Sequence, residues 1–147
     1  MSSEIQESTD IAFIALTVYR EARGEMDAGK LAVAFSIVQR VKNPSWWGKN
    51  ALGVVSHPDQ YSSMTVEGDP NLVVWPESGD PVWQACLNAA TCAYRATLPN
   101  PAPEADSYFD DSISPPYWAK EDDFVARIGR LSFYDTRKNE ERVLSGK

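Results

Sequence analysis

Apolar residues recur at every third or fourth position near the start of the chain, which is the spacing of a helix with one buried stripe. They are Ile11, Ile14, Ala15, Val18 and Ala22. Residues 8–10 supply side-chain oxygens that can cap the amino end of such a helix, and Gly24 is typical of its end. The pattern therefore predicts a first helix that follows a polar segment over residues 1–8.

A second segment, from about residue 28 to residue 42, is apolar on nearly every face until Gln39. Asp27 is its predicted cap, and the helix should end before Pro44, because the residue that precedes a proline disfavours helical geometry. A helix without a polar face belongs in the interior of a domain. We expect this helix to form the buried centre and to pair with the first helix as a hairpin.

The chain between residues 44 and 79 is rich in proline, glycine and aspartate, and it predicts one short helix near residues 51–56. Long irregular segments in compact domains are usually functional. Asp80 and Pro81 then predict the start of a third main helix, which runs to about residue 97 before a proline-rich segment ends it.

Aromatic and β-prone residues at positions 107–109 and 131–134 predict two short strands that flank a Pro115-Pro116 turn. Residues 136–147 are mostly charged or polar and predict a frayed tail. The expected architecture is mainly α with a small β element, an α+β class, in a single domain over residues 1–147.

Composition narrows the possible functions. The 147 residues are 43% apolar and carry a net charge of −7 without a run of lysines or arginines, which argues against nucleic-acid binding as the main role. The amino terminus lacks the cationic start and apolar core of a secretory signal, and no apolar stretch approaches the roughly twenty residues that cross a bilayer. We expect a soluble monomer, made in the cytosol, that inserts into no membrane.

The two cysteines and the one histidine also limit the chemistry. Cys86 and Cys92 are six positions apart on the predicted third helix, a rise of about 9 Å, which is too far for a disulfide. We therefore expect two reduced thiols. His57 alone cannot complete a zinc site, so no metal and no cofactor are expected.

Glu21 extends the stripe of the first helix that otherwise faces the core. A carboxylate there has two possible roles. It can form a structural ion pair with Arg20, Arg23 or Arg40, or it can be partly desolvated in a cleft, which raises its pKa and makes it a general acid. Spacing alone favours the ion pair.

Aromatic residues are frequent in the loop-like segments, where flat rings with a polar edge suit the faces of sugars. Trp83 and Tyr94 are predicted core residues, whereas Trp46, Trp47 and Trp118 could serve either local packing or ligand contact. Residues 60–62 place an amide, a phenol and a hydroxyl together, and these groups could hold sugar hydroxyl or acetamido groups.

Five blocks of the chain, in this order, resemble the cell-wall hydrolase family named after the spore-cortex lytic enzyme SleB. The blocks are residues 16–25, 29–41, 60–62, 115–119 and 128–134. The resemblance implies a helical domain similar to goose-type lysozyme or to lytic transglycosylases. It also implies cleavage of peptidoglycan between N-acetylmuramic acid and N-acetylglucosamine, with Glu21 as the acid.

Ordinary glycosidases use two carboxylates, and the spacing of the sequence fixes none opposite Glu21. The second could be Glu25, and Asp59, Glu67 and Asp69 are also available. An enzyme with a single carboxylate can use the acetamido oxygen of the substrate instead. We therefore rank a lytic transglycosylase first, a hydrolytic muramidase second and a non-catalytic wall-binding or virion structural module third.

The predicted substrate-binding residues are Gln60, Tyr61, Ser62, Tyr108, Tyr117 and Trp118. The expected partner is the glycan strand of peptidoglycan, which is anionic, so cations should line the groove. The candidate cations are Arg20, Arg23, Lys42, Lys49 and Arg127. The expected setting is a phage endolysin that accumulates in the cytoplasm of the producing cell and acts on the wall after its release.

Overall fold

The computed structural model describes residues 3–58 and 60–138 of the chain. Its helices are α1 (Glu4–Ala22), α2 (Asp27–Lys42), α3 (Ala51–Val55), α4 (Ser62–Thr65) and α5 (Pro81–Arg95), with 3-10 turns at Pro70–Val73 and Glu121–Asp123. Its strands are β1 (Ser107–Asp110), β2 (Phe124–Ile128) and β3 (Leu131–Tyr134). The predicted fold class, mainly α with a small β element, is confirmed.

Helices α1, α2 and α5 pack on one another and enclose most of the core. The side chains of Ile14, Val18, Val33 and Ile37 are fully buried between them. Helix α2 is buried along nearly its whole length, as its lack of a polar face predicts. This arrangement fixes the carboxyl end of α1, which carries Glu21, against the rest of the domain.

Helix α1 begins at Glu4, so the predicted start of the first helix, with its cap at residues 8–10, is wrong. The Ser3 hydroxyl caps the helix by accepting the Gln6 N–H at 3.0 Å. Glu4 and Glu7 then place negative charge in the first turn, where the helix dipole favours it. Residues 1 and 2 lie outside the described part of the chain.

The boundaries of the other main helices follow the predicted signals closely. The Asp80 carboxylate caps α5 by accepting the Val82 N–H at 2.9 Å, as predicted. Helix α2 ends at Lys42, before Pro44, also as predicted. Asp27 is the first helical residue of α2 rather than its cap, and the cap residue, Met26, makes no side-chain hydrogen bond.

The three strands form an antiparallel sheet in the order β1-β3-β2. Strands β1 and β3 were predicted, and β2 was not. The β2 side chains alternate poorly between buried and exposed, and a bulge between Phe124 and Ala126 interrupts the pairing. A period-2 pattern is therefore absent from this part of the sequence.

The start of the predicted frayed tail is ordered. Thr136 donates its N–H and its hydroxyl to Oδ1 of the buried Asp106, at 3.2 and 2.8 Å. The prediction is therefore wrong at Thr136, while residues 139–147 lie outside the described residues. Cys86 is buried, Cys92 is half-buried and both are free thiols, as predicted. In the described residues, no helix is both long and apolar enough to span a membrane.

Candidate active site

A cleft of about 510 Å³ opens between the helices and the sheet. Its walls come from α1, α2 and β1, from the segments that precede α3, α4 and β2, and from Thr136 after β3. The lining residues are Glu21, Arg40, Trp46, Trp47, Gln60, Tyr61, Ser107, Tyr108, Tyr117, Trp118 and Thr136. Five of the six predicted substrate-binding residues thus lie at one cleft, together with Glu21.

Glu21 stands at the last turn of α1 and is half-buried at the cleft wall. Burial raises the pKa of its carboxyl above the ordinary value, and the nearby negative charge of Asp69 raises it further. The hydroxyl groups of Ser63 and Tyr108 lie close enough to oppose this rise in pKa. The net direction is upward, which is the property that a general acid needs near neutral pH.

The ion pair that spacing favoured for Glu21 does not form. Arg20, Arg23 and Arg40 all donate to neutral acceptors instead, which are carbonyl, amide, hydroxyl and thioether groups. No salt bridge involves Glu21 among residues 3–58 and 60–138. The desolvated alternative is therefore the one that the geometry supports.

Three buried hydroxyl groups lie around this carboxyl, those of Tyr61, Ser63 and Tyr108. None of them has a hydrogen-bond partner of good geometry within the described residues. Leaving buried polar groups unsatisfied is costly, so such groups commonly mark a place where a ligand completes the bonding. Burial is also the main reason that the pKa values of Tyr61 and Tyr108 are raised.

Ser63 was not predicted as a site residue, and Ser62 was. In the structure, Ser63 is the serine that is fully buried beside Glu21. Ser62 is exposed, and its hydroxyl interacts with the Asp69 carboxylate. Adjacent residues at the start of α4 face different directions, and no sequence signal placed that helix. Ser62 is therefore not among the residues that line the cleft.

The tryptophans and tyrosines of the cleft differ in how much ring surface they offer. Trp46 is 54% exposed and Tyr117 is 88% exposed, so both present free faces. Trp118 is half-buried against aromatic side chains of the sheet. Trp47 is buried, and its ring N–H donates to the Arg40 carbonyl at 3.0 Å, which makes it a packing residue.

Tyr61 was expected to offer a stacking surface from a loop, and this expectation is wrong. Its side chain is only 3% exposed and belongs to the main core cluster. The Arg40 guanidinium lies over its ring at 5.5 Å from the centroid. Tyr61 therefore supports the cleft wall, while the neighbouring Gln60 lines the cleft and contacts Arg40.

Glu25 does not stand opposite Glu21. Its carboxylate accepts the backbone N–H of Arg130 at 3.2 Å, and it is not among the cleft residues. Asp69 caps the following 3-10 turn through the Asn71 N–H, and Glu67 is exposed outside the cleft. Asp59 lies outside the described residues. Among the described lining residues, Glu21 is the sole carboxylate.

Two solved structures share this fold. The catalytic domain of the Bacillus cereus SleB protein matches with a TM-score of 0.68 and 24% identity, over 86% of this chain and 90% of that one. The catalytic domain of the germination-specific lytic transglycosylase SleB from Bacillus anthracis matches with a TM-score of 0.67 and 24% identity, over 90% and 96% of the two chains. The protein thus has the fold of the SleB catalytic domains, as predicted.

The family follows from the sequence. The family model for cell wall hydrolases matches residues 24–134, and the chain belongs to that family. A spore cortex-lytic enzyme of Halalkalibacterium halodurans is 29% identical over 124 residues, which is 84% of this chain and 34% of that protein. The chain therefore spans about a third of that relative's length. Glu21 lies just before the matched segment.

Proposed function

We propose that this protein cleaves the β-linkage between N-acetylmuramic acid and N-acetylglucosamine in peptidoglycan, as a lytic transglycosylase with Glu21 as its one acid and base. The observation that carries the proposal is a desolvated carboxyl at the cleft, with no second carboxylate among the described lining residues. The proposal is supported by family membership and by similarity to a protein described as a germination-specific lytic transglycosylase.

The first step uses the proton of the Glu21 carboxyl, whose pKa burial raises. The carboxylic acid donates this proton to the glycosidic oxygen, and the bond from that oxygen to C1 of muramic acid breaks. N-acetylglucosamine leaves with the proton, and positive charge develops at C1. Because no second carboxylate is among the described lining residues, we assign the stabilisation of this charge to the acetamido oxygen of the same sugar.

The second step returns the proton to Glu21. The carboxylate accepts it from the C6 hydroxyl of muramic acid, and the oxygen of that hydroxyl forms a bond to C1. The product is a 1,6-anhydro ring, and Glu21 is again protonated. Between the two steps Glu21 is an anion, which is the state that the Ser63 and Tyr108 hydroxyls favour by lowering its pKa.

The rim of the cleft supplies contacts to the sugar rings on either side of the scissile bond. Trp46 and Tyr117 expose the ring faces on which an apolar sugar face can stack, and Trp118 contributes a third aromatic surface. Gln60 adds an amide that can bond to hydroxyl or acetamido groups. These residues bind the strand, and Glu21 acts on the linkage.

Mass spectrometry of sacculi digested by the protein tests the proposal. Anhydro-muramoyl ends are the expected product, and reducing muramic acid ends would favour the hydrolytic muramidase instead. Adsorption to sacculi without release of soluble fragments would identify the protein as a wall-binding module. A Glu21→Gln variant that retains full activity would remove Glu21 from the mechanism.

The biological setting stays a prediction. If the protein is a phage endolysin that acts after release from the cytoplasm, its expression alone should leave bacteria intact. Co-expression with a pore-forming holin should then lyse them, and the Glu21→Gln variant should not. Equal growth with and without the holin would contradict the endolysin role while leaving the cleavage chemistry open to the sacculus assay.

A further inference from the structure

The cleft contains one cationic side chain among its described lining residues, that of Arg40. None of the cations predicted to line the groove does so; these are Arg20, Arg23, Lys42, Lys49 and Arg127. The chain as a whole has a net charge of −7, so an anionic polymer gains no general attraction to it. Among the described lining residues, Arg40 is therefore the one that can attract an anionic strand into the cleft.

Arg40 is held rigidly. Its Nε–H donates to the Asp106 carbonyl at 2.7 Å, and Nη2 donates to the Ser107 hydroxyl at 3.3 Å. The guanidinium lies 5.1 Å from the ring centroid of Trp47 and 5.5 Å from that of Tyr61. Its third contact, from Nη1 to the Gln60 amide oxygen, is long at 3.5 Å. The fork is therefore fixed in orientation, with donor capacity left on its terminal nitrogens.

The Arg40 guanidinium is buried among neutral hydrogen-bond acceptors. Only 6% of the residue is exposed, and it makes no ion pair within the described chain. The nearby Asp106 carboxylate does not pair with it directly: Oδ1 accepts from Ser107 and Thr136, and Oδ2 is buried with no hydrogen-bond partner among the described residues. Every direct acceptor of the guanidinium is neutral, so an anionic ligand in the cleft would be its first direct ion-pair partner among the described residues.

We propose that Arg40 binds a carboxylate on the 3-O substituent of the muramic acid that is cleaved. This inference rests on the proposed function and names the part of the substrate that the site recognises. Muramic acid differs from glucosamine by a lactyl ether, which ends in a free carboxylate or continues into a stem peptide that carries carboxylates. A fixed guanidinium matches a carboxylate in shape and charge.

The positions of Arg40 and Glu21 are compatible with one sugar reaching both. Burial raises the pKa of Tyr61, while the positive charge of Arg40 lowers it and the negative charge of Glu21 raises it, so both charged groups are near the same side chain. C1, where the bond breaks, and C3, which carries the substituent, belong to one ring. Binding the substituent at Arg40 would therefore orient C1 toward the acid.

The test compares glycans that differ only in charge. Strands stripped of stem peptides by an amidase carry free lactyl carboxylates, and converting these to methylamides makes a neutral substrate of the same length. A second pair consists of stem-bearing strands with free or amidated stem carboxylates. For each pair, kcat/KM is measured for the unmodified protein, Arg40→Gln, Arg40→Lys and Lys49→Gln. Lys49→Gln removes the same charge from an exposed residue outside the cleft.

The unmodified protein should prefer the charged member of at least one pair by roughly ten- to a hundredfold, the range for charge-assisted hydrogen bonds. The pair that shows the preference identifies the lactyl or the stem carboxylate as the source. Arg40→Gln should lose the preference, Arg40→Lys should keep part of it and Lys49→Gln all of it. Because the readout is a ratio within one variant, a general loss of stability does not alter it.

Equal cleavage of charged and neutral strands in both pairs by the unmodified protein would overturn the proposal for Arg40. This result needs no variant, so it stands even if Arg40→Gln does not fold. A preference that persists in a folded Arg40→Gln variant would also overturn it. Failure to cleave any strand would instead contradict the proposed function, so the two failures are distinguishable.

Discussion

Two concave surfaces of the protein differ in their polar groups, although Arg20 contacts Trp75 at one of them and Ser63 beside the other. One is the cleft around Glu21, of about 510 Å³, and the other is a groove of about 700 Å³ along α1, lined chiefly by Phe13, Leu16, Trp75 and Trp83. Both contain tryptophans, and the groove is the larger. The polar residues of the groove are exposed at its mouth, whereas those of the cleft include buried hydroxyls, a buried guanidinium and a half-buried carboxyl.

The difference shows that burial of polar groups, rather than size or aromatic content, marks the candidate site. The serine and glutamate side chains of the groove are exposed to water. In the cleft, groups of the same types are shielded from water. Burial raises the pKa of the Glu21 carboxyl, and buried hydroxyl groups have no protein partner of good geometry among the described residues. These groups can therefore exchange a proton or form hydrogen bonds with a ligand.

The largest expected effect in the cleft comes from Glu21→Gln, which keeps the side-chain shape and removes the exchangeable proton. General acid-base assistance contributes roughly a hundredfold to ten-thousandfold, so release of soluble fragments from sacculi should slow by at least about that factor. Binding to sacculi should persist, because the contacts at the cleft rim are unchanged.

Glu25→Gln is the matched control, since Glu25 lies beyond the end of α1 and outside the cleft. It should leave fragment release within about twofold, since its carboxylate only accepts a backbone N–H. An equal loss of fragment release in the two variants would contradict the assignment of Glu21, and not Glu25, to the active cleft.

Tyr61→Ala should be the most destabilising change at the cleft wall. Removing a buried aromatic ring costs about 3–5 kcal/mol of unfolding free energy, and Tyr61 belongs to the core cluster. Tyr61→Phe keeps the ring and removes a hydroxyl that has no partner in the described residues, so its stability should change little. Denaturant unfolding of both variants measures this, and a mild loss in Tyr61→Ala would restore the prediction of a surface stacking residue.

The helical part of the fold was predictable because its signals are local. Asp80 and Pro81 form a cap and first turn through their own backbone and side chains, and the apolar run of α2 has one compatible location. The start of α1 was missed because Ser3 caps a turn that carries no apolar stripe. Strand β2 was missed because a bulge breaks its alternation.

The candidate site was only partly predictable, since its chemistry depends on contacts between distant residues. Glu21 could be singled out from its place on an apolar stripe, but the choice between an ion pair and desolvation depended on where the arginines point. Ser63 is 42 residues from Glu21 in the sequence, and Arg40 is 19 residues from it. Tertiary packing brings both to the same site as Glu21. No periodicity encodes such contacts.

Ser63→Ala should sharpen the role of the buried hydroxyls with a moderate effect. The Ser63 hydroxyl lowers the pKa of Glu21, so its loss should raise that pKa and move the alkaline limb of the pH–rate profile to higher pH. The rate at the optimum should fall by about two- to tenfold, the value of one hydrogen bond. Ser62→Ala is the control, and a shift of similar size in that variant would contradict the assignment of Ser63.

The stability of Glu21→Gln should depend on pH in a direction set by burial. The folded-state pKa of Glu21 lies above the ordinary 4.5, so its favourable contribution is complete below the unfolded value and is lost as pH rises through the folded value. Above that pH the variant, which has no charge to bury, should be more stable than the unmodified protein. Denaturant unfolding at about pH 8 and about pH 4 should show the gain only at the higher pH.

The smallest effect is expected from Trp75→Ala, which tests whether the groove along α1 takes part in the function of the cleft. Trp75 is 68% exposed, and its ring lies 4.7 Å from the guanidinium carbon of Arg20. Arg20 in turn donates to the Ser63 carbonyl at 3.3 Å, so the variant removes one support of a residue beside Glu21.

A cation–π contact at an exposed site contributes about 0.5–1 kcal/mol, and Arg20 keeps its hydrogen bond to the Val74 carbonyl at 3.0 Å. The unfolding free energy of Trp75→Ala should therefore fall by no more than about 1 kcal/mol. Cleavage of sacculi should stay within about threefold of the unmodified rate, because Ser63 loses no direct contact. A loss of cleavage as large as that of Ser63→Ala, in a variant of unchanged stability, would mean that the groove binds the glycan strand and that the two surfaces work as one site.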